Sequence, residues 1–237
     1  MLACVALTEK GNREINEDSV GFAYEDGVGF FVLADGLGGH GYGDIASRIA
    51  TECAMECFAE KPGDLDECFL IGQNRLIDEQ RKMNARDELK TTMVCLYICD
   101  GKAKWGHIGD SRLYYFKEGK LNKRTLDHSV TQMLVAMGEI REKDIRGHMD
   151  RNRLLRVMGA DWETPKYELE EEIALCGKDA FLLCSDGFWE LITESDMEKM
   201  LRRASSPDKW LESMKIIVMK NGKGRNMDNF SAIAVFA

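Results

Sequence analysis

No apolar run in this sequence approaches the roughly twenty residues needed to cross a bilayer, so no membrane span is expected. The opening residues, Met1 to Leu7, lack both the basic start and the extended apolar core of a secretory signal, which predicts a cytoplasmic location. Basic residues are not in excess. Against 41 Asp and Glu stand 32 Lys and Arg, a formal net charge of -9. That balance gives no electrostatic reason to bind nucleic acid or an anionic membrane face, whereas clustered carboxylates attract cations. The eight cysteines include no Cys-x-x-Cys pair. Cys53 and Cys57 fall in a helical apolar stripe, and Cys95, Cys99 and Cys184 in strand-like runs, so they read as reduced core residues rather than metal ligands or disulfides. None is followed six positions on by arginine. Asn74 stands there after Cys68, so a phosphate-cradling cysteine nucleophile is not expected. A nucleotide-binding P-loop and a nucleophile elbow are also lacking.

What is present is enough apolar content, 44% of 237 residues, for a proper core in one large domain or two small ones. The stretch around which the rest is organised runs from Gly29 to Asp44. Phe30 to Ala34 is too short for a helix and rich in β-formers, so it reads as a buried strand that delivers Asp35 to its tip. Glycines at 36, 38, 39, 41 and 43 follow, where backbone can approach a ligand with no Cβ in the way, and a long helix then begins. The arrangement suits a metal ion or a phosphate, and equally a plain glycine-rich connection with a solvated Asp.

Leu2 to Leu7 reads as a first strand. Ser19 to Tyr24 and Val28 to Ala34 form a hairpin about Glu25-Asp26-Gly27, which would bring Asp18 and Asp35 together at one sheet end. Ile45, Ala46, Ile49, Ala50, Cys53, Ala54, Cys57 and Phe58 mark the inner face of a helix that ends at Pro62-Gly63. A second helix, capped by Asp64 with Glu67 as its capping-box partner, carries a stripe from Leu65 to Met83, giving an antiparallel pair over a sheet. Thr91 to Cys99, Lys102 to Ile108, Arg112 to Phe116 and Lys120 to Arg124 alternate with period two and predict an antiparallel meander. The segment 138–152 is the least core-like and reads as a surface flap. Lys166 to Leu175 and Ala180 to Cys184 are further strands, the second delivering Asp186. Helices capped by Thr193 or Ser195, and entered through Ser206-Pro207, precede Asp228 and a last strand from Phe230 to Phe236.

These residues resemble a known family. Arg13-x-x-Asn-Glu-Asp18, Ala34-Asp-Gly-x-Gly-Gly-His40, Thr91-Thr92, Gly109-Asp-Ser-Arg112, Asp127-His-Ser129, Ser185-Asp-Gly187 and Asp228-Asn229 occur in the order seen in the metal-dependent, 2C-type (PPM) protein phosphatases, in their compact bacterial form. The likeness implies an α+β fold in one catalytic domain over 1–237: a four-layer α/β/β/α sandwich, two antiparallel sheets face to face and flanked by antiparallel helix pairs. It further implies two manganese or magnesium ions. Asp35 would bridge them, the Gly36 carbonyl would serve one, and Asp186 and Asp228 the other. Glu17 would lie by the second ion, Asp18 would hold metal-bound water, and Arg13 would grip the substrate phosphate. Asp110 matches an acid that holds a third ion in relatives, while its partner position carries Glu190 here, and His40 would order the loop by hydrogen bonding.

The chemistry agrees with such roles. Hard divalent cations prefer oxygen ligands, and two of them about 3.5–4 Å apart lower the pKa of a bridging water for in-line attack on phosphorus. The planar donor fork of an arginine offsets phosphoryl charge. The resemblance therefore implies direct hydrolysis of phosphoserine and phosphothreonine in proteins, with a Ser/Thr kinase supplying the substrates and a monomer as the simplest state. Two alternatives stand beside it: a catalytically silent phosphoprotein-binding regulator, and a hydrolase of small phosphorylated metabolites. Leu37 stands where some relatives carry a histidine able to protonate the leaving group, and Lys90 replaces a glycine common before the two threonines. Thr91, Thr92, Trp189 and Trp210 read as core, and Asp127-His128-Ser129 as a helix cap.

Overall fold

The computed structural model describes residues 2–38, 41–86 and 88–237. Three strands, β1 (Ala3–Glu9), β2 (Asp18–Glu25) and β3 (Val28–Asp35), lead into helices α1 (Gly43–Glu60) and α2 (Leu65–Met83). Four strands follow: β4 (Met93–Cys99), β5 (Lys102–Ile108), β6 (Arg112–Lys117) and β7 (Lys120–Arg124). Then come α3 (Val130–Ala136), a 3₁₀ turn (Glu142–Gly147), the short β8 (Glu168–Leu169) and β9 (Ile173–Ala174), and β10 (Asp179–Cys184). The chain closes with α4 (Asp186–Trp189), α5 (Glu194–Leu201), α6 (Pro207–Gly222) and β11 (Phe230–Phe236). One sheet has the order β1-β11-β10-β6-β7 and the other β2-β3-β4-β5-β8, with β9 also on β5.

Side-chain alternation builds the layers. In β3, Phe31 and Leu33 point into a core between the sheets, where they meet Trp105, Tyr115, Phe181 and Val235. Phe30, Val32 and Ala34 point the other way, onto Ala46, Ala50 and Ala54 of α1 and Phe69 and Leu76 of α2. The opposite sheet repeats this outward, with Phe116, Leu182 and Ala234 under Trp210, Met214 and Val218 of α6. A strand covered on both faces has no polar period, which is why Phe30 to Ala34 reads as an unbroken apolar run. The four-layer α/β/β/α sandwich is as the resemblance implies. Among the described residues no helix is long and apolar enough to cross a membrane.

Local signals are realised in detail. The Asp64 carboxylate accepts from Glu67 N, but the Glu67 carboxylate is held by Lys61 at 2.8 Å, so the capping box forms in one direction. Ser129 caps α3, Thr193 rather than Ser195 caps α5, and Ser206 caps α6. All eight cysteines are free; Cys57 and Cys68 touch across the α1–α2 interface.

Three expectations are corrected. The meander is interrupted: β4 and β5 lie in one sheet, β6 and β7 in the other. The chain leaves the first sheet at Gly109, whose φ of +97° and whose tight approach to Thr92 turn it across the sandwich. Lys166 to Leu175 is not one strand but two short pairings on the β5 edge. Met83, placed on the buried stripe of α2, is exposed at the last position of the helix. Within the surface segment 138–152, Ile145 is 1% exposed and belongs to the core above the β6-containing sheet.

Candidate active site

The tips of the two sheets carry acids, and the sandwich brings them together. β2 and β3 pair so that Asp18 lies opposite Asp35. Thr91 and Thr92, fully buried, fix the tip of β3. Thr92 Oγ1 accepts from Asp35 N at 3.0 Å, while Thr91 Oγ1 and Thr92 N donate to Asp35 O, each at 2.8 Å. Gly36 N donates to Glu17 O. A Cβ at Gly36 would lie 2.0 Å from Gly43 O, and Cβ atoms at Gly38 and Gly43 would meet the Glu17 carboxylate at 2.0 and 2.7 Å. The glycines are thus required by close approach, seating the start of α1 and the Glu17 side chain against the strand tip.

From the other sheet, β10 ends at Cys184 and the chain turns at Ser185 into α4, with Asp186 at its start. Ser185 joins three strands: its Oγ donates to Asp18 Oδ2 at 2.8 Å and accepts from Ser231 N at 2.9 Å. Asp228 precedes β11 and accepts from Arg13 Nη2 at 2.7 Å. Asn229 binds the N-terminal loop, accepting from Glu17 N and donating to Lys10 O and Ile15 O. Arg13, Glu17, Asp35, Gly36, Asp110, Asp186 and Asp228 line one cleft of about 380 Å³, with Leu37, Gly38, Thr92, Asn152, Leu154 and Asn229 completing its wall. Asp18 lies buried beneath it.

Crowding and burial set the electrostatics. Burial pushes the Asp18 carboxyl up to about 6; hydrogen bonds from Ser231 and Ser185 hold it down, and the charges of Asp228 and Glu17 raise it further. Asp35 and Asp186 are raised well above the usual carboxylate range, chiefly by burial and then by neighbouring acids. Asp110 is pushed up to about 7, by burial and then by Asp127. Glu17 is raised by burial, with Asp44 and Asp228 adding to it. The Arg13 guanidinium is strengthened as a cation by its hydrogen bond to Asp228. Asp18 Oδ1 is buried with no hydrogen-bond partner among the described residues. An orphaned carboxylate oxygen beside crowded acids from two sheets fits hard divalent cations and their waters.

Asp110 and Glu190 come from a platform that sequence reasoning did not see. Arg112, 1% exposed, binds Asp127 through two hydrogen bonds of 2.7 Å and stacks 3.4 Å over the ring of Trp189. Trp189 Nε1 donates to Asp110 O at 3.0 Å. Glu190 is held by Arg151 Nε at 2.9 Å and is raised by burial, an effect Arg151 opposes. Asn152 and Leu154, from and beside the flap, were likewise unforeseen. The available signals were the residues flanking each acid: Ser185 before Asp186, Asn229 after Asp228 and Arg112 after Asp110. His40 lies outside the described residues. A second group of metal-type side chains, His107, His128 and Glu168, lies together beside β5. His107 Nε2 bonds Leu126 O, Gly109 N donates to His128 Nδ1, and Glu168 Oε1 takes Arg156 and lies 3.2 Å from His128 Nε2, which is buried with no hydrogen-bond partner among the described residues.

A sequence-family model described as protein phosphatase 2C matches residues 9–215. A serine/threonine phosphatase (stp) of Listeria welshimeri is 29% identical over 240 residues, covering 96% of this chain and 93% of its own. Among solved structures, serine/threonine phosphatase Stp1 from Staphylococcus aureus superposes with a TM-score of 0.89 at 25% identity, covering all of this chain and 95% of that one. The catalytic domain of the phosphatase PstP, solved in complex with two manganese ions, gives 0.83 at 23% identity, covering 99% and 97%.

Proposed function

This chain belongs to the protein phosphatase 2C family and is a phosphoprotein phosphatase acting on serine and threonine, and we propose that it works by direct hydrolysis in the acidic cleft. The observation that carries the reading is the convergence of Asp18 and Asp35 from one sheet with Asp186 and Asp228 from the other, around a buried carboxylate oxygen that has no hydrogen-bond partner among the described residues.

In this reading Asp35, the Gly36 carbonyl, Asp186, Asp228 and Glu17 hold two divalent cations, manganese or magnesium, and Asp110 with Glu190 offers room for a third. The cations supply positive charge that lowers the pKa of coordinated water and offsets charge on a phosphoryl group. The chain's own groups do the rest. Arg13 is half exposed at the cleft wall; one donor is spent on Asp228, and the others remain for phosphoryl oxygens. Ser185 fixes one oxygen of Asp18 and leaves the other to orient water. The threonine clamp on Asp35 and the Trp189 bond to Asp110 O hold the acids in place before substrate arrives. Leu37 has no proton to give the leaving alkoxide.

The whole chain acts as one catalytic domain, in the cytoplasm and as a monomer, on proteins phosphorylated by a Ser/Thr kinase. A silent phosphoprotein-binding regulator would have no use for a complete set of crowded, costly acids. The test is phosphate release from a phosphothreonine peptide with manganese, with magnesium and with chelator, beside a nucleotide and a small phosphorylated metabolite. Metal-dependent release from the peptide is expected; preference for the small substrates, or release in chelator, would overturn the reading.

A further inference from the structure

Basic residues near the cleft divide by wall. On one side Arg146, Arg151, Arg153 and Arg156 are each held by an acid at 2.6 to 3.1 Å. On the side of Arg13 several are not. From Ser213 to Met227 the chain carries four basic residues and no acid, although its net charge is -9. Lys215 is spent on Glu9 at 2.6 Å, which sets α6 against the end of β1. Lys223 and Arg225, just beyond α6, and Lys10, just after β1, are exposed and form no ion pair among the described residues. Two touching loops carry them to the cleft. Asn12 N donates to Met227 O and Met227 N to Asn12 Oδ1, each at 3.0 Å, and Asn229 Nδ2 donates to Lys10 O at 2.9 Å. A Cβ on Gly11 would lie 2.2 Å from Asp228 O. Lys10 and Arg13 close one turn, with Arg13 N on Lys10 O at 3.1 Å, and Arg225 stands shortly before Asp228; Arg13 and Asp228 both line the cleft.

We propose that Lys10, Lys223 and Arg225 form a basic lip on the Arg13 wall of the cleft, and that this lip receives an anionic flank of the substrate peptide, either carboxylates or a second phosphoryl group. The role rests on the phosphatase reading above and adds a sequence preference to it. Three residues of extended chain span at most about 10 Å, so a lip that close in sequence to Arg13 and Asp228 meets a peptide about two to three residues from the one whose phosphate Arg13 holds. The cleft's own acids repel an acidic peptide, and positive charge beside the cleft offsets that repulsion. Acids on the same elements do not cancel the lip: Glu9 is paired with Lys215, Asp208 and Glu212 lie in the first half of α6, and Glu14 alone stands exposed on the Arg13 loop. On the opposite wall the arginine charge is already met by protein acids, so the preference belongs to one side of the peptide. Exposed charges act weakly one by one and are screened by salt, which makes the lip a selector among substrates and not a condition for turnover.

The test uses the full chain with manganese, and Lys10→Gln, Lys223→Gln, Arg225→Gln and the triple variant. Phosphothreonine peptides carry Glu or Gln at the flanking positions, either before or after the phosphothreonine; a further set carries phosphoserine there, with mass spectrometry reporting which phosphate leaves. For the wild type, KM is expected to be about tenfold lower with the anionic flank on one side only, with kcat within about twofold; each single variant should reduce that advantage about two- to threefold and the triple variant abolish it. Peptides flanked by Gln, and para-nitrophenyl phosphate, should be handled alike by all variants. Raising sodium chloride from about 50 to about 500 mM should erase the advantage. An advantage for phosphoserine alone would assign the lip to a second phosphate, and one shared with Glu to carboxylates as well. No advantage, an equal one on both sides, or one that survives in the triple variant would overturn the lip. Binding of a single-stranded oligonucleotide that the triple variant loses, with no peptide advantage, would overturn it in favour of nucleic acid. Fluorescence anisotropy with non-hydrolysable phosphonate peptides reads the same preference without turnover. If the wild type hydrolyses no substrate, the phosphatase reading falls, and the anisotropy still decides the lip.

Discussion

Replacing Asp127 by alanine removes the counter-ion of a guanidinium that has no access to water. Arg112 and Asp127 are 1% and 2% exposed at the side chain, and the pair is bidentate, with both bonds at 2.7 Å. Without Asp127, the described partners left to Arg112 are the Tyr114 hydroxyl at 2.9 Å, Glu194 at 4.0 Å and the Trp189 ring. Two charge-assisted hydrogen bonds at about 1.5–3 kcal/mol each give about 3–6 kcal/mol, in line with the roughly 3–5 kcal/mol lost when one partner of a buried ion pair is removed. Because Arg112 stacks on Trp189, and Trp189 bonds Asp110 O, the same change should loosen the Asp110 side of the cleft and lower activity. Urea unfolding followed by tryptophan fluorescence measures the stability cost. Arg112→Met with Asp127→Leu should cost less than the sum of the single changes, since no buried charge is left alone. An Asp127→Ala protein within about 1 kcal/mol of the wild type would refute this account of the platform.

Other consequences follow from the same contacts. Burial, and then the stacked charge of His107 at 4.6 Å, lower His128 from the ordinary 6.5 to about 4. The unfolded chain therefore binds a proton that the folded chain refuses, so stability is fully present above pH 6.5 and declines as pH falls from there to about 4. The gap sets a ceiling of about 3 kcal/mol, and His128→Gln should flatten that part of the profile in urea midpoints taken at several pH values; an unaltered slope would count against it. Gly36→Ala places a methyl 2.0 Å from Gly43 O and should cost about 2 kcal/mol. In thermal unfolding this is a fall in Tm of about 6 °C, with activity reduced through the displaced strand tip, whereas an unchanged Tm would show that the loop can yield.

Much of this organisation was legible because it is local. The apolar run Phe30 to Ala34, the turn at Asp26-Gly27 and the period of two are enough to place Asp18 opposite Asp35, and the register agrees. Helix starts were equally readable, since Asp64, Thr193 and Ser206 accept from the backbone three residues on. What periodicity does not encode is which sheet a strand joins. β6 alternates as well as β5 does, but only the turn at Gly109 carries it across, and both of its faces are covered. Arg112 shows a second limit: an arginine reads as surface from its type, and its burial depends on Asp127, Tyr114 and Trp189, which no local pattern brings together. Ile145 shows a third, as one apolar residue in a charged segment anchors that segment to a core formed by strands and helices distant in sequence.

The central claim is that acids from the two sheet tips hold the divalent cations that phosphate release requires. It is tested most directly by measuring bound manganese and phosphate released from a phosphothreonine peptide on the same samples, for the wild type, Asp35→Asn and Asp186→Asn, each shown to be folded by its unfolding transition. The account predicts that manganese binding and phosphate release fall together in both variants. A folded Asp35→Asn protein that binds manganese and releases phosphate like the wild type would contradict it.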